Sequence, residues 1–266
     1  MNKFLAILYD SYLEIKDRKI FYLYLAVTLI MILIFSLLPG SLNINGEHIM
    51  DSGLIDQATI DRVVAGFFDQ FFGFMIFIMV FGTAGLLPSY LSKGRVELVV
   101  SKPIERFRLI LMKFISIYLV SCLILIVTTS LIWLAMSLRL GSITTNFFYG
   151  LLLALVQFFI VYAIIFILGL LFNSGAGAII GYFILRVGSD LLSHREVVYD
   201  FLGESVWKFI LDTAYNILPK LGEMSDNYNS LMRGRGLGDS YALWSSLLFG
   251  GTMILLGLIY FNRKDY

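Results

Sequence analysis

Five long runs of apolar residues without a charged side chain constrain this chain more than any other feature. A helix needs about 20 such residues to cross roughly 30 Å of hydrocarbon. The runs cover residues 20–38, 71–91, 114–138, 147–172 and 241–261. Only 15% of the 266 residues are charged, whereas a water-facing surface needs roughly 25–35%. The sequence therefore predicts an integral membrane protein made of α-helices.

Residues 175–192 form a sixth apolar segment, which differs from the others because it contains Arg186 and Asp190. A charge at a helix centre costs about 2.5–3.5 kcal/mol on insertion scales. The two side chains are four residues apart on one helical face, where they can form an ion pair. We therefore predict a sixth span, in which the pair is either a structural lock, the favoured interpretation, or part of a polar pathway. Gly177 and Gly181 have the spacing that permits close helix contact in lipid.

The distribution of lysine and arginine predicts the orientation of the chain. With a cytoplasmic N-terminus, twelve basic residues lie on the cytoplasmic side and seven on the outer side. Six of the twelve fall in the short loop 92–113: Lys93, Arg95, Lys102, Arg106, Arg108 and Lys113. The positive-inside rule therefore predicts that both termini are cytoplasmic. The first run exceeds the 7–15 apolar residues of a cleavable signal peptide, so we interpret it as a permanent anchor.

Two segments outside the spans have helical patterns. In residues 3–18, an apolar face contains Phe4, Leu5, Leu8, Tyr12 and Ile15, and the opposite face largely contains Asp10, Ser11, Glu14 and Asp17. This pattern predicts an interfacial helix, although a segment that only sets topology fits equally well. Residues 193–240 predict one or two interfacial or re-entrant helices on the outer side, with the helical pattern ending at Pro219 and the Gly-rich stretch after it.

The signatures of catalysis and of cofactor binding are absent from the sequence. There is no G-x-x-x-x-G-K-[ST] and no H-E-x-x-H, so neither a phosphate loop nor a zinc-protease helix is predicted. His48 and His194 stand alone, and Cys122 lies inside an apolar run. We therefore predict no catalytic, metal or cofactor site in this chain and no enzymatic activity of its own. The net charge of +1 gives no case for a nucleic-acid partner.

The loop 92–113 is the most informative segment, because it mixes its basic residues with apolar ones. Pro103 suits the first turn of a helix, and Glu105 complements the positive end of that helix. The pattern predicts a short amphipathic helix that continues into the third span and can act as a mechanical lever. A solvated loop that only sets topology is the alternative, and the residues alone leave both interpretations open.

Residues 88–114, PSYLSKGRVELVVSKPIERFRLILMKF, resemble ABC transporter permeases of the second, exporter-type superfamily. The resemblance is greatest to the branch that includes the nitrous-oxide-reductase maturation permease, with a pattern close to acidic-x-x-x-G-T-x-E/D-x-x-L-S-K-P-x-S-R and then G-K-aromatic. The matching residues are Gly94, Glu97, Ser101, Lys102, Pro103, Arg106, Lys113 and Phe114. The departures are Tyr90, Arg95, Glu105 and Met112. The closing residues 261–266 also resemble the aromatic-x-R/K-R/K-D end of the family.

The resemblance implies an all-α polytopic membrane protein of the plasma (inner) membrane. Residues 1–266 would form one permease domain with six transmembrane helices and an N-terminal interfacial helix. Loop 92–113 would be the coupling helix that contacts a separate cytosolic ABC ATPase, through Gly94, Glu97, Lys102, Pro103 and Arg106. ATP and Mg would bind to that partner, and the permease would work as a homo- or heterodimer surrounded by membrane lipid.

These expectations favour the permease subunit of an ATP-driven export complex. A non-transporting membrane scaffold or assembly factor is the alternative, and it predicts a partner contact without nucleotide-dependent change in the spans. The scarcity of polar side chains favours a lipidic or amphipathic cargo.

Overall fold

The computed structural model describes residues 3–37, 43–44, 47–48, 57–91, 105–140, 143–195 and 206–263. These residues form an all-α polytopic membrane protein. Its helices are α1 (Lys3–Asp17), α2 (Ile20–Leu37), α3 (Gln57–Ala84), α4 (Leu86–Tyr90), α5 (Arg106–Leu140), α6 (Phe147–Phe172), α7 (Gly175–Ser193), α8 (Val206–Ile217), α9 (Leu221–Met232) and α10 (Ser240–Arg263). Two short antiparallel strands, β1 (Asn43–Ile44) and β2 (Glu47–His48), pair Asn43 with His48 and Ile44 with Glu47.

Among the described residues, five helices are long and apolar enough to cross a membrane. They are Arg62–Tyr90, Arg106–Leu140, Phe147–Phe172, Gly175–Ser193 and Ser240–Arg263. Helices α1 and α2 meet at a bend of 65°, and they supply a sixth span if the pair is counted as one. Lys19, at the bend, has a left-handed backbone conformation, with φ at 61°. The described chain thus has five to six apolar helices, where the sequence predicts six spans.

Among the predicted spans, 71–91 differs most in its bounds from the helix that the structure shows. Helix α3 begins at Gln57, well before the predicted start at residue 71, and it ends at Ala84. Its additional turns are held by the buried side chains of Val64 and Phe68. These turns contain charged residues, so the uncharged run in the sequence is shorter than the helix. The charged residues do not prevent the helix from forming. A break at Gly85 then separates α3 from the short helix α4.

Helix α5 confirms that the third span continues from the loop before it. It runs without interruption over 35 residues, from Arg106 to Leu140. The predicted helix start at Pro103 lies outside the described residues, as does the rest of segment 92–104. At about 1.5 Å per residue, α5 is about 50 Å long, so it extends beyond the hydrocarbon thickness of roughly 30 Å.

Helix α6 occupies the centre of the bundle. It packs against α3, α5, α7, α9 and α10. No charged residue occurs in its 26 residues, and a helix that is apolar on all sides is suited to a buried position. The rest of the bundle is therefore arranged around α6.

Helix α9 forms where the sequence predicts the end of helical structure. The break at Pro219 is real, but α9 begins only two residues later, at Leu221. Its residues Leu221, Met224, Tyr228 and Met232 are spaced by three or four positions, and all four are buried. This apolar stripe is short and lies among Ser, Asp and Asn residues, which is why the sequence pattern places the end of helical structure at Pro219.

Polar side chains of the spans hold the start of α9. Ser189 of α7 donates a hydrogen bond from Oγ to the Pro219 carbonyl (2.6 Å) and accepts one from the Leu221 backbone N–H (3.2 Å). Gln157 of α6 donates from Nε2 to the Leu221 carbonyl (3.0 Å). Backbone groups at a helix end need such partners when they are buried, so these contacts fix α9 between α6 and α7.

Glycines bring α7 close to its neighbours, as the spacing of Gly177 and Gly181 predicts. A Cβ atom at Gly181 would lie 2.8 Å from Leu168 Cδ1 on α6. At Gly175 the approach is backbone to backbone, because a Cβ atom there would lie 2.8 Å from Gly85 Cα at the break between α3 and α4. The start of α7 thus requires a residue without a side chain.

We expect Gly175→Ala to reduce the free energy of unfolding by about 1–3 kcal/mol, because neither backbone segment can retreat from the added methyl group. The matched control is Gly188→Ala in the same helix, where a Cβ atom would meet nothing within 4 Å. The control should be neutral or stabilising by up to about 1 kcal/mol, because alanine favours helix. Thermal unfolding of both variants in detergent measures the difference, and equal midpoints would contradict the proposed contact.

Candidate functional site

Lys113 is a fully buried charged residue in the second turn of α5. Its Nζ atom lies 2.8 Å from Asp10 Oδ2 and 2.9 Å from Glu14 Oε2, both on α1. The same atom lies 4.7 Å from the centre of the Tyr90 ring, at the end of α4. A buried charge needs such partners, because an isolated one is strongly disfavoured in an apolar interior. The ammonium group therefore joins three helices.

The acidic residues of α1 differ from the sequence expectation. The sequence predicts them on a polar face opposite the apolar one, but this polar face partly packs against α5. Ser11 is fully buried and donates its hydroxyl to the Ile7 carbonyl (2.9 Å). Glu14 is largely buried beside Lys113. The ammonium group of Lys113 on α5 explains this arrangement, because it provides the counter-charge for the carboxylates.

The end of α1 is attached to the break between α3 and α4. Arg18 donates from Nη2 to the Gly85 carbonyl (2.6 Å) and to Ser89 Oγ (2.9 Å). A Cβ atom at Gly85 would collide with the Arg18 guanidinium group, so a larger residue there would displace the guanidinium group from this position. The break in the second span is thereby stabilised by the residue that directly follows α1.

We call this set of contacts the Lys113 junction. It consists of Asp10, Glu14, Arg18, Gly85, Ser89, Tyr90 and Lys113. Helix α4 precedes segment 92–104 and α5 follows it, and the junction ties both helices to α1. Any force on that segment therefore reaches a connected set of helices.

The predicted coupling residues are only partly placed by the structure. Gly94, Glu97, Lys102 and Pro103 lie outside the described residues. Arg106 is the first residue of α5, where it is half-buried. Near it, Glu105 and Arg108 form an exposed ion pair with an N–O distance of 2.7 Å.

The predicted pair of Arg186 and Asp190 is present, with Nε and Oδ2 separated by 3.2 Å. Its side chains are 30% and 44% exposed, so apolar helices do not enclose it completely. The pair lines a cleft of about 770 Å³ between α3, α7 and α9, which we call the polar cleft. Sequence reasoning overlooked Asp69 of this cleft, although Asp69 and Gln70 mark the point where the second apolar run begins.

A buried lysine, Lys220, also stabilises the turn between α8 and α9. Lys220 Nζ donates to the Tyr215 carbonyl (3.0 Å) and to Ser245 Oγ (3.1 Å), and it faces the rings of Tyr215 and Tyr241. Burial lowers the pKa of Lys220. Burial, with the hydrogen bond to Glu223, raises the pKa of Tyr215 to about 12. These contacts join α8, α9 and α10.

Within the described residues, no three His, Cys, Asp or Glu side chains are placed to hold a metal ion together. Comparison of the chain with protein-family models, with curated proteins and with solved structures gave no match.

We expect Lys113→Met to reduce the free energy of unfolding by about 3–5 kcal/mol, because it leaves buried carboxylate charge without compensation. Adding Asp10→Asn and Glu14→Gln should recover part of the loss, because the uncompensated charge is then removed as well. The control is Arg108→Ala, which breaks only the exposed pair with Glu105 and should change stability by no more than about 1 kcal/mol. Thermal unfolding in detergent tests all variants, and a Lys113→Met variant as stable as the control would contradict the role of the junction.

Proposed function

We propose that the chain is the membrane-spanning permease subunit of an ATP-driven export complex. In this proposal, a separate cytosolic ABC ATPase acts on it through loop 92–113. The Lys113 junction is the observation that carries the proposal, because it connects both ends of that loop to one further helix. A permease without its own phosphate loop needs such a point of attachment for its energy source.

The packing of the helices supports movement between two groups. Helices α1, α2 and α5 pack closely with one another, and α3, α4, α6, α7, α9 and α10 form the other group. The contacts between the groups include ring pairs of α5 and α6, where Phe114 stacks on Tyr162 at 4.8 Å and Tyr118 on Phe158 at 5.9 Å. Helix α5 also packs against α3 and α10, and Tyr24 of α2 donates a hydrogen bond to the Met75 carbonyl of α3. Segment 92–104 links the two groups directly, since α4 belongs to one and α5 to the other.

Because the Lys113 junction joins the two groups beside this segment, force on the segment would tilt the first group against the second about the junction. Because α5 is one continuous helix of about 50 Å, a displacement at Arg106 is carried to its far end at Leu140. Transport requires two conformations that the nucleotide-bound ATPase favours to different extents. The long helix and the Lys113 junction supply the mechanical connection for such a change.

The proposal places the Lys113 junction and both termini on the cytoplasmic side of the plasma membrane. The basic residues of loop 92–113 support this orientation through the positive-inside rule. A second permease copy, identical or different, completes the complex, with one ATPase subunit on each coupling loop. ATP and Mg are bound by the ATPase subunits.

We expect the chain to co-purify with a P-loop ATPase from its native membrane. Deletion of residues 94–104, or the charge reversal Arg106→Glu, should remove the ATPase from the purified complex. The matched control is Lys208→Glu, an exposed charge reversal on α8 at the other end of the bundle. Immunoblotting of the purified material measures the association. Undiminished association after the deletion would overturn the coupling role of the loop.

We also expect ATP to change the distance between the two helix groups. Spin labels at Tyr9 of α1 and Ile259 of α10, both exposed, should change their separation when ATP binds to the complex. The control pair, Tyr9 and Leu138 of α5, lies within one group and should keep its separation. Pulsed electron resonance measures both distances. Stable ATPase binding without any change between the groups would favour the scaffold alternative over transport.

A further inference from the structure

The polar cleft lies at the opposite end of the bundle from the Lys113 junction. Its charged lining residues come from three helices: Asp69 of α3, Arg186 and Asp190 of α7, and Asp226 of α9. Asp69 and Asp190 belong to helices that are long and apolar enough to cross a membrane. Ionisable groups in such helices are rare, because they are costly to place in a membrane, and they usually mark a functional site.

The charges of the polar cleft are not balanced. Arg186 is already paired with Asp190. Asp69 accepts a hydrogen bond from Asn229 Nδ2 at 3.0 Å, but this donor carries no charge. Within the part of the chain that the structure describes, Asp226 has no hydrogen bond or ion pair.

Arg233 also attracts Asp69, although it does not line the cleft. When Arg233 is counted with Arg186, the three carboxylates still outnumber the guanidinium groups by one. The lining therefore favours a ligand with positive charge.

One wall of the polar cleft is aromatic. Phe74 and Phe77 of α3 line it and are 46% and 43% exposed. Phe81, one turn further along the same helix, is 45% exposed and contacts Phe77 with ring centroids 5.0 Å apart. These rings form an apolar track that leads away from the carboxylates along the surface of α3. A hydrocarbon chain fits such a track. A cation at the end of the track beside the carboxylates is also attracted by the faces of the rings.

We propose that the polar cleft binds an amphiphile with a cationic amine head group. The amine lies between Asp69 and Asp226, and the hydrocarbon chain lies along Phe74, Phe77 and Phe81. Gly73 leaves the space for this ligand, because a Cβ atom there would meet nothing within 4 Å. As an assignment of the exported cargo, this inference rests on the proposed function, whereas the binding itself does not depend on an ATPase.

The spread of the carboxylates favours an organic cation over a metal ion. Among the described residues, no group of three metal-binding side chains is close enough to hold an ion. An amine can instead form separate charge-assisted hydrogen bonds with each carboxylate. The amine can come from a membrane lipid, such as phosphatidylethanolamine, or from a free cationic amphiphile, and the experiment below separates these sources.

The binding test uses a thiol inside the cleft. Gly73→Cys in a Cys122→Ala background provides a single thiol, and its reaction with a small maleimide is measured in phosphatidylcholine nanodiscs without nucleotide or ATPase. We expect dodecylamine to slow this reaction at concentrations where dodecanoic acid and butane-1,4-diamine do not. The first comparison tests the charge of the head group, and the second tests the need for a hydrocarbon chain.

The matched control is Gly66→Cys in the same background. Gly66 lies on the same helix, does not line the cleft and has equally open surroundings, so none of the three compounds should slow its labelling. Nanodiscs that contain phosphatidylethanolamine distinguish the source of the amine. Protection without added dodecylamine indicates a membrane lipid, and protection by dodecylamine alone indicates a free amphiphile.

The carboxylates are tested by neutral replacements of the same size. Asp69→Asn and Asp226→Asn should each raise the half-protecting dodecylamine concentration about tenfold, as expected for the loss of one charge-assisted hydrogen bond. Glu105→Gln, at the other end of the bundle, should leave it unchanged.

Three results would overturn the proposal: a thiol at position 73 that does not react, equal protection by dodecanoic acid, or equal protection by the diamine. Because no ATPase is present, any of them leaves the coupling role of loop 92–113 unaffected. Conversely, loss of ATPase association after loop deletion does not affect the binding result.

Discussion

The pairing of the Lys113 ammonium group with Asp10 and Glu14 is the interaction on which the functional architecture depends. A charge buried at the start of a membrane-crossing helix is stable only with its counter-charges, and both of these come from α1. An otherwise peripheral helix thus becomes part of the bundle. With Arg18 at the break between α3 and α4, it also connects the two helices that border the proposed coupling loop.

The two ends of the molecule differ in chemistry, and the central helix α6 lies between them. At one end, ion pairs and hydrogen bonds around Lys113 form a charge-balanced set that joins several helices, which suits the transmission of force. The other has an open, partly uncompensated set of carboxylates around Asp69 and Asp226, which suits the binding of a ligand. The long helix α5 spans the distance between them. Under the proposed function, this difference between the two ends is the arrangement expected of a transporter that an ATPase drives from one side.

Sequence reasoning found the fold class and most spans, because uncharged runs of this length have few other structural solutions. It also found the pair of Arg186 and Asp190, since a separation of four residues is encoded locally. The contacts of Lys113 with α1 could not be found in this way, because they join residues about a hundred positions apart and no local pattern records them. Helix α9 was overlooked for a different reason: its stability comes from burial against α3, α6 and α7, not from its own composition.

The hydrogen bond between Gln157 and the Leu221 carbonyl has a consequence for biosynthesis. The two residues are 64 positions apart, and ribosomes add about 5–20 residues per second. For several seconds, a newly inserted α6 therefore carries a polar amide with no partner from α9. An insertase or a lipid-facing chaperone that shelters this helix during that interval would prevent its premature aggregation or degradation.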